Sequence, residues 1–301
     1  MATPQQYASP AAFKQALEQR LRTQTRNGDD LVRRRQVLVF NRFLARVVQA
    51  LGDAVTLKGG LVLEMRIDRA RTTKDIDLRL SGPSNQLLSQ LARCGQSDMG
   101  DFMSFDIELD RNHPVLQNEG MRYEGARYRA QARLAGKVYG HAFGVDIAFG
   151  DPLLGALDIA AAEDTLAFAG IAPPRIRLYP IETHIAEKLH AYTLPRARIN
   201  SRVKDLPDIA LLARIRELQM APLRAAIDQT FTYRNTHTTP TDLPDPPNAW
   251  PEIYAAMATE DELPWKTLDD LVVAVRQFIE VPLGQSPATR WSPETWRWDA
   301  I

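Results

Sequence analysis

Two aspartates one residue apart, Asp75 and Asp77, stand in the stretch LKGGLVLEMRIDRARTTKDIDLRL, residues 57–80. Side chains alternate along a strand, so Ile76, Leu78 and Leu80 share one face while Asp75, Asp77 and Arg79 share the other. Both carboxylates then point the same way. Like charges that close repel unless a cation lies between them, and paired carboxylate oxygens suit the hard ions Mg²⁺ or Mn²⁺. The same alternation on an edge strand gives only a solvated face, and FDIELD repeats it with Asp106, Glu108 and Asp110. Context separates the two stretches. Only the first follows a glycine pair and carries Arg71, Thr73 and Lys74 just upstream.

Gly59 and Gly60 lack a Cβ and can bring backbone N–H groups against a bulky anion such as a triphosphate, although a tight structural turn needs the same residues. Lys58 adds a cation at that place. Further on, GVDIAFGD presents Asp146 on the face opposite Val145, Ile147 and Phe149. If that strand lies beside the first, three carboxylates converge, which is what in-line phosphoryl displacement between two metal ions requires.

Around these residues the sequence predicts an α/β domain with a mixed sheet, followed by helices. Val37, Phe40, Leu44, Val47, Val48 and Leu51 recur at helical spacing and Gly52 closes that helix. Residues 54–58 predict a short strand and Gln86–Arg93 a helix. FMSFDIELD, RYRAQARLAG and HAFGVDIAFGD predict strands, with a turn at Ala135-Gly136-Lys137. Past about residue 175 come four helical stretches: IETHIAEKLHAY, KDLPDIALLARI, APLRAAIDQTF and LDDLVVAVRQFIE. The expected division is therefore residues 1–174, an α/β domain with basic N-terminal helices, and 175–301, a mainly helical lobe. Prolines crowd residues 236–265 and predict an irregular connection over the surface. Trp291, Trp296 and Trp298 are expected to anchor the tail by packing.

Composition narrows the function classes. With 45% apolar and 25% charged residues in 301, the chain is an ordinary globular protein, and no apolar run is long enough to cross a bilayer. The start, MATPQQYASP, has no basic-then-apolar pattern of a secretion signal, so a cytoplasmic location is expected. A single cysteine, Cys94, excludes an internal disulfide and a cysteine-rich zinc site. Net charge is zero, yet Arg20, Arg22, Arg26, Arg33, Arg34, Arg35, Arg42 and Arg46 crowd one segment. That face either is simply solvated or holds the phosphates of RNA.

A glycine pair, a D-x-D strand and a third aspartate on a later strand resemble the DNA polymerase β-type nucleotidyltransferase superfamily. Within it, LKGGLVLEM, RTTKDIDL, GVDIAFGD, YPIETHIAEKLHAY and RVKDLPDIALL, in that order, resemble the AbiEii/AbiGii (MenT-like) toxin nucleotidyltransferase family. LDDLVVAVRQFIEVPL fits that family's C-terminal helix. The resemblance implies a nucleotidyltransferase-like mixed sheet with flanking helices and a helical lobe that completes the site. It implies Asp75 and Asp77 as the metal-binding pair, Gly59 and Gly60 along the nucleotide phosphates with Lys58, Arg71 and Thr73 beside them, and Lys188 on the triphosphate. Asp205 or Asp208 would complete the site, and whether the third carboxylate is Asp146 or one of these stays open. Gly-Gly replaces the superfamily's Gly-Ser, and the gap before the aspartates is longer. The expected activity is transfer of NMP from an NTP to a hydroxyl with Mg²⁺ or Mn²⁺, with the 3′ end of tRNA as acceptor and a cognate antitoxin as partner. Transfer to a protein or small-molecule hydroxyl, or RNA or partner binding without turnover, are the competing readings. His184 and His190 are read as structural. Lys188 lacks an acid one helical turn before it and is free to lean over a cleft.

Overall fold

A computed structural model describes residues 7–25, 27–67, 73–82, 86–111, 125–196, 200–284, 286–287 and 289–300. Two helices open the chain, α1 (Pro10–Thr23) and α2 (Gly28–Leu51). The Asn27 side chain caps α2 by accepting from the Asp30 N–H at 2.9 Å, with Asp29 and Asp30 in the first turn. Gly52, at φ +53°, ends it. The predicted stripe is real: Phe40, Leu44 and Val47 are buried, and Phe40 packs edge-on against Phe143.

The α/β half continues with β1 (Val55–Lys58), α3 (Gly60–Arg66), β2 (Ile76–Leu80), α4 (Leu87–Gly95) and β3 (Met103–Leu109). Then come β4 (Gly125–Leu134), β5 (Lys137–Val138), β6 (Phe143–Phe149), β7 (Asp158–Ala161) and β8 (Arg175–Leu178). Ala135 and Gly136 both take positive φ, 52° and 73°, the conformation a two-residue hairpin turn demands between β4 and β5. The strand order is β3-β4-β6-β2-β1-β8-β7, with β5 paired to β4. β2 runs parallel to β6 and antiparallel to β1, which makes the sheet mixed as expected. β8 pairs in parallel with β1, so the sheet reaches residue 178, past the change of pattern read at 174.

The second half holds α5 (Ile181–Thr193), α6 (Asp205–Ala213), β9 (Leu218–Gln219), α7 (Met220–Arg234), α8 (Trp250–Glu260), α9 (Leu268–Leu283), β10 (Arg290–Ser292) and β11 (Arg297–Asp299). The segment expected to be irregular thus contains α8. Its Pro251 lies in the first turn, where the missing N–H costs nothing, and Trp250, Tyr254 and Ala258 form one buried stripe. Trp291, Trp296 and Trp298 do anchor the tail. Their indole N–H groups donate to the carbonyls of Ala213, Ala274 and Phe278.

Buried apolar side chains gather in two cores, one between the sheet and α1, α2 and α4, the other among α5 to α9 and the tail. Ile76, Leu78 and Leu80 sit in the first, which leaves the opposite face of β2 turned toward the helices of the second half.

The basic N-terminal face is largely committed to the fold. Arg42 and Arg46 close on Asp101, with Nε–Oδ2 at 2.6 Å and Nη2–Oδ1 at 2.7 Å, all three buried. Burial pushes the Asp101 carboxyl up, but the hydrogen bonds and charges of Arg46 and Arg42 outweigh it and hold it below the usual range. Arg35 pairs with Glu18, and Arg34 reaches Asp30 and Glu163. Arg26 lies outside the described residues. Neither of the alternatives, solvated face or RNA surface, describes Arg42 and Arg46.

Candidate active site

Strand register assembles the site. Lys58 of β1 lies opposite Asp77 of β2, Asp77 beside Asp146 of β6, and Asp146 opposite Arg127 of β4. Directly opposed residues share a face of the sheet, so a cation, two carboxylates and a second cation form one row across four strands. The condition set by the sequence, that the Asp146 strand lie beside the Asp77 strand, is met.

Two glycines let carboxylates approach backbone. Gly59, at φ +72°, has the space of its missing Cβ filled by Asp77, whose Oδ2 would lie 1.9 Å from such an atom. A Cβ on Gly144 would stand 2.7 Å from Oδ1 of Asp75, and the Gly144 N–H donates to that oxygen at 3.0 Å. Asp75 precedes β2 by one residue and is tied back by this bond. Thr73 fixes the approach to it, donating its N–H to Glu64 at 2.8 Å and its hydroxyl to the Asp75 carbonyl at 3.3 Å.

From the helical half, α5 presents Lys188. Its ammonium pairs with Asp208 at 2.6 Å and Asp205 at 3.2 Å, both on α6. The acid absent from the preceding turn of α5 is therefore supplied by the K-D-x-x-D segment. Asp205 also accepts from Arg202 at 2.7 Å and 3.2 Å. Deeper in, Lys58 bonds Asp151 at 2.7 Å and Glu187 at 3.1 Å, while Arg234 bonds Glu187 at 2.8 Å. Burial pushes Glu187 up, Lys58 draws it down, and Asp151 adds to the rise, which leaves it raised.

A cleft of about 460 Å³ unites these groups. Its lining includes Lys58, Gly59, Gly60, Thr73, Asp75, Asp77, Asp146, Lys188 and Asp205. Asp208 stands behind the lining and reaches the site through Lys188. Arg71 lies outside the described residues. The sequence reading missed Arg127, Gly144, Glu187, Arg202 and Arg234. Arg127 was visible only as one member of an alternating strand, because a single sequence does not say which strand pairs with which.

Burial and then the neighbouring Asp146 push Asp77 up to about 6, against the pull of Lys58 and Lys188. Burial makes the charged form of this carboxylate costlier than on an exposed aspartate, and a cation beside it lowers that cost. Asp75 and Asp77 supply hard oxygen donors, and Mg²⁺ is commonly held by one or two carboxylates plus substrate phosphates rather than by an all-protein cage. The donor set fits such an ion. No group of three carboxylate, imidazole or thiol ligands converges among the described residues, and both oxygens of Asp146 are taken by Arg127 at 2.6 Å each. His184 and His190 line the cleft as well, each in its own surroundings. His184 is buried with no hydrogen-bond partner on either nitrogen among the described residues, and burial and Lys188 hold it well below its usual range. His190 bonds Thr236 at 2.8 Å, and burial lowers it to about 4.

The sequence profile described as "Nucleotidyl transferase AbiEii toxin, Type IV TA system" matches residues 42–274, a span that contains every described residue of this cleft. The chain belongs to this family. The AbiEii match covers both the strand row and the α5–α6 contact. No match was found among curated proteins. Among solved structures, MenT4, a nucleotidyltransferase toxin from Mycobacterium tuberculosis H37Rv, is similar at 14% identity with a TM-score of 0.49, covering 96% of this chain and 93% of that one. JHP933 from Helicobacter pylori is similar at 15% identity with a TM-score of 0.46, covering 82% and 93%. The family's type IV toxin–antitoxin context implies an antitoxin partner. Among the described residues no helix is long and apolar enough to cross a membrane.

Proposed function

We propose that this chain transfers a nucleoside monophosphate from an NTP to the 3′-terminal hydroxyl of tRNA, in the cytoplasm, and so halts translation until its antitoxin intervenes. The observation that carries the reading is the opening of Asp75 and Asp77 into a cleft whose far wall holds Lys188. Membership of the AbiEii family supports the nucleotidyl transfer; the acceptor comes from the sequence resemblance.

Asp75 and Asp77 would hold a divalent ion together with the triphosphate. Bound there, Mg²⁺ or Mn²⁺ would lower the pKa of the acceptor hydroxyl and neutralise phosphate charge. The acceptor oxygen gives up its proton to solvent and forms a bond to the α-phosphorus, the bond from that phosphorus to the β-phosphate bridging oxygen breaks, and pyrophosphate leaves. Lys188 stabilises the charge that grows on the leaving group, an interaction strongest in the transition state. Asp205 and Asp208 hold Lys188 in place. Gly59 and Gly60 line the cleft where the nucleotide phosphates would enter, with Asp77 in the space of the missing Gly59 Cβ, and Thr73 keeps the Asp75 approach in shape.

The test incubates purified protein with α-labelled NTPs, Mg²⁺ and total RNA, beside Asp77→Asn and a chelated control. Label is expected on RNA of tRNA length with the unaltered protein alone. Equal labelling by Asp77→Asn would dispose of the site, and label on protein with none on RNA would dispose of the acceptor.

A further inference from the structure

The charges around the cleft close in separate groups. Lys188 and Arg202 face Asp205 and Asp208. Lys58 and Arg234 face Asp151 and Glu187. Arg127 faces Asp146, its Nε on Oδ1 and its Nη2 on Oδ2, both at 2.6 Å. Among the described residues this leaves Asp75 and Asp77 outside any ion pair, although Lys74 and Lys204 also line the cleft and Lys58 and Lys188 draw on Asp77 from beside it.

We infer that the cleft takes a single divalent ion on Asp75 and Asp77, and that the Arg127 guanidinium occupies the place of a second ion at Asp146. The inference rests on the nucleotidyl-transfer reading and concerns how its charge is supplied. A guanidinium meets a carboxylate through two parallel N–H···O bonds, a geometry that fixes both groups and that a point charge does not reproduce. Here the pairing is also set by the backbone, since Arg127 and Asp146 are directly opposed across β4 and β6. A second divalent ion on Asp146 would have to share that carboxylate with a fixed positive charge. Asp146 in turn lies beside Asp77 in the parallel β2–β6 pair, so the guanidinium is carried to the edge of the ion site by two adjacent strand pairings. Arg127 remains about a third exposed toward the cleft it lines, within reach of phosphate oxygens entering there.

The experiment counts Mn²⁺ bound per full-length chain by electron paramagnetic resonance, with α,β-methylene analogues of the four NTPs supplied in turn. One ion per chain is expected, with no broadening from a neighbouring spin. Arg127→Gln, which keeps length and polarity but removes the charge, is expected to admit a second, spin-coupled ion. Asp146→Asn is expected to keep the one ion, with affinity changed by less than about threefold, whereas Asp77→Asn loses it. Two ions on the unaltered chain, or loss of the ion in Asp146→Asn, would overturn the inference while leaving metal-dependent transfer intact. No Mn²⁺ with any analogue would overturn that reading as well. Should Arg127→Gln fail to fold, the count on the unaltered chain and on Asp146→Asn still decides.

Discussion

Gly59 and Asp77 compete for one space: a Cβ at Gly59 would lie 1.9 Å from the Asp77 carboxylate, and the backbone there holds φ +72°. The glycine pair therefore does more than turn the chain between β1 and α3. Gly59 leaves the volume in which the Asp77 carboxylate sits. Gly59→Ala must displace Asp77 or strain the turn. Displacements of about 1 Å can cost on the order of 100-fold in rate. The expected result is a fall of at least about 100-fold in kcat/KM for nucleotidyl transfer with only a small drop in Tm, measured side by side. A variant with near-normal turnover would show that Asp77 tolerates displacement.

The Lys188–Asp208 contact, 2.6 Å with Asp208 fully buried, is predicted to be a positioning device whose loss is felt twice. Removing one member of a buried pair typically costs about 3–5 kcal/mol, while apolar replacement of both is often close to neutral. Asp208→Leu should therefore lower stability to denaturant strongly, and Lys188→Met with Asp208→Leu should recover much of it. Activity should stay lost in both. Recovery of turnover in the double variant would remove Lys188 from the chemistry.

Much of this arrangement was legible in the sequence, for identifiable reasons. Alternation placed Asp75, Asp77 and Asp146 opposite their apolar neighbours, because a strand pattern needs only local information. Partners distant in sequence were beyond such patterns. Arg42 and Arg46 fit a basic helix face until Asp101, 55 to 59 residues further on, is seen between them. Lys188 looked unpaired because its acids lie on the next helix, 17 and 20 residues later. α8 was hidden by prolines that density alone marks as breakers, although Pro251 at a helix start is favourable.

Asp101 makes a pH-dependent contribution with a definite sign. Its carboxyl is held below the usual range by Arg46 and Arg42 despite burial. The stabilisation is thus fully present above the ordinary aspartate value of about 3.9 and is lost as pH falls through the lower folded value. Asp101→Asn should cost about 3–5 kcal/mol at neutral pH, by leaving two buried guanidinium groups short of their counterion. The variant should also show a shallower loss of stability below about pH 4. Urea midpoints measured from pH 2.5 to 7 check both, and identical acid slopes would deny the coupling.

Lys58 separates two roles that the sequence could not. It lies opposite Asp77 in the register, as a phosphate ligand would, yet its ammonium is bonded to Asp151 and Glu187. These contacts join β1 and the segment after β6 to α5, and Arg234 of α7 closes the same group on Glu187. A lysine so held acts first as a clamp across the cleft floor. Lys58→Met leaves Asp151 and Glu187 buried with less positive charge, at a predicted cost of about 3–5 kcal/mol in stability. Pairing it with Glu187→Leu should return part of that loss, since one of the two carboxylates is then gone and Arg234, 4.0 Å from Asp151, is left to face the other. NTP affinity, followed by calorimetry with a non-hydrolysable analogue, should change by less than a factor of about 5 in the double variant, under about 1 kcal/mol. A fall of 100-fold or more with stability restored would instead assign Lys58 to the triphosphate.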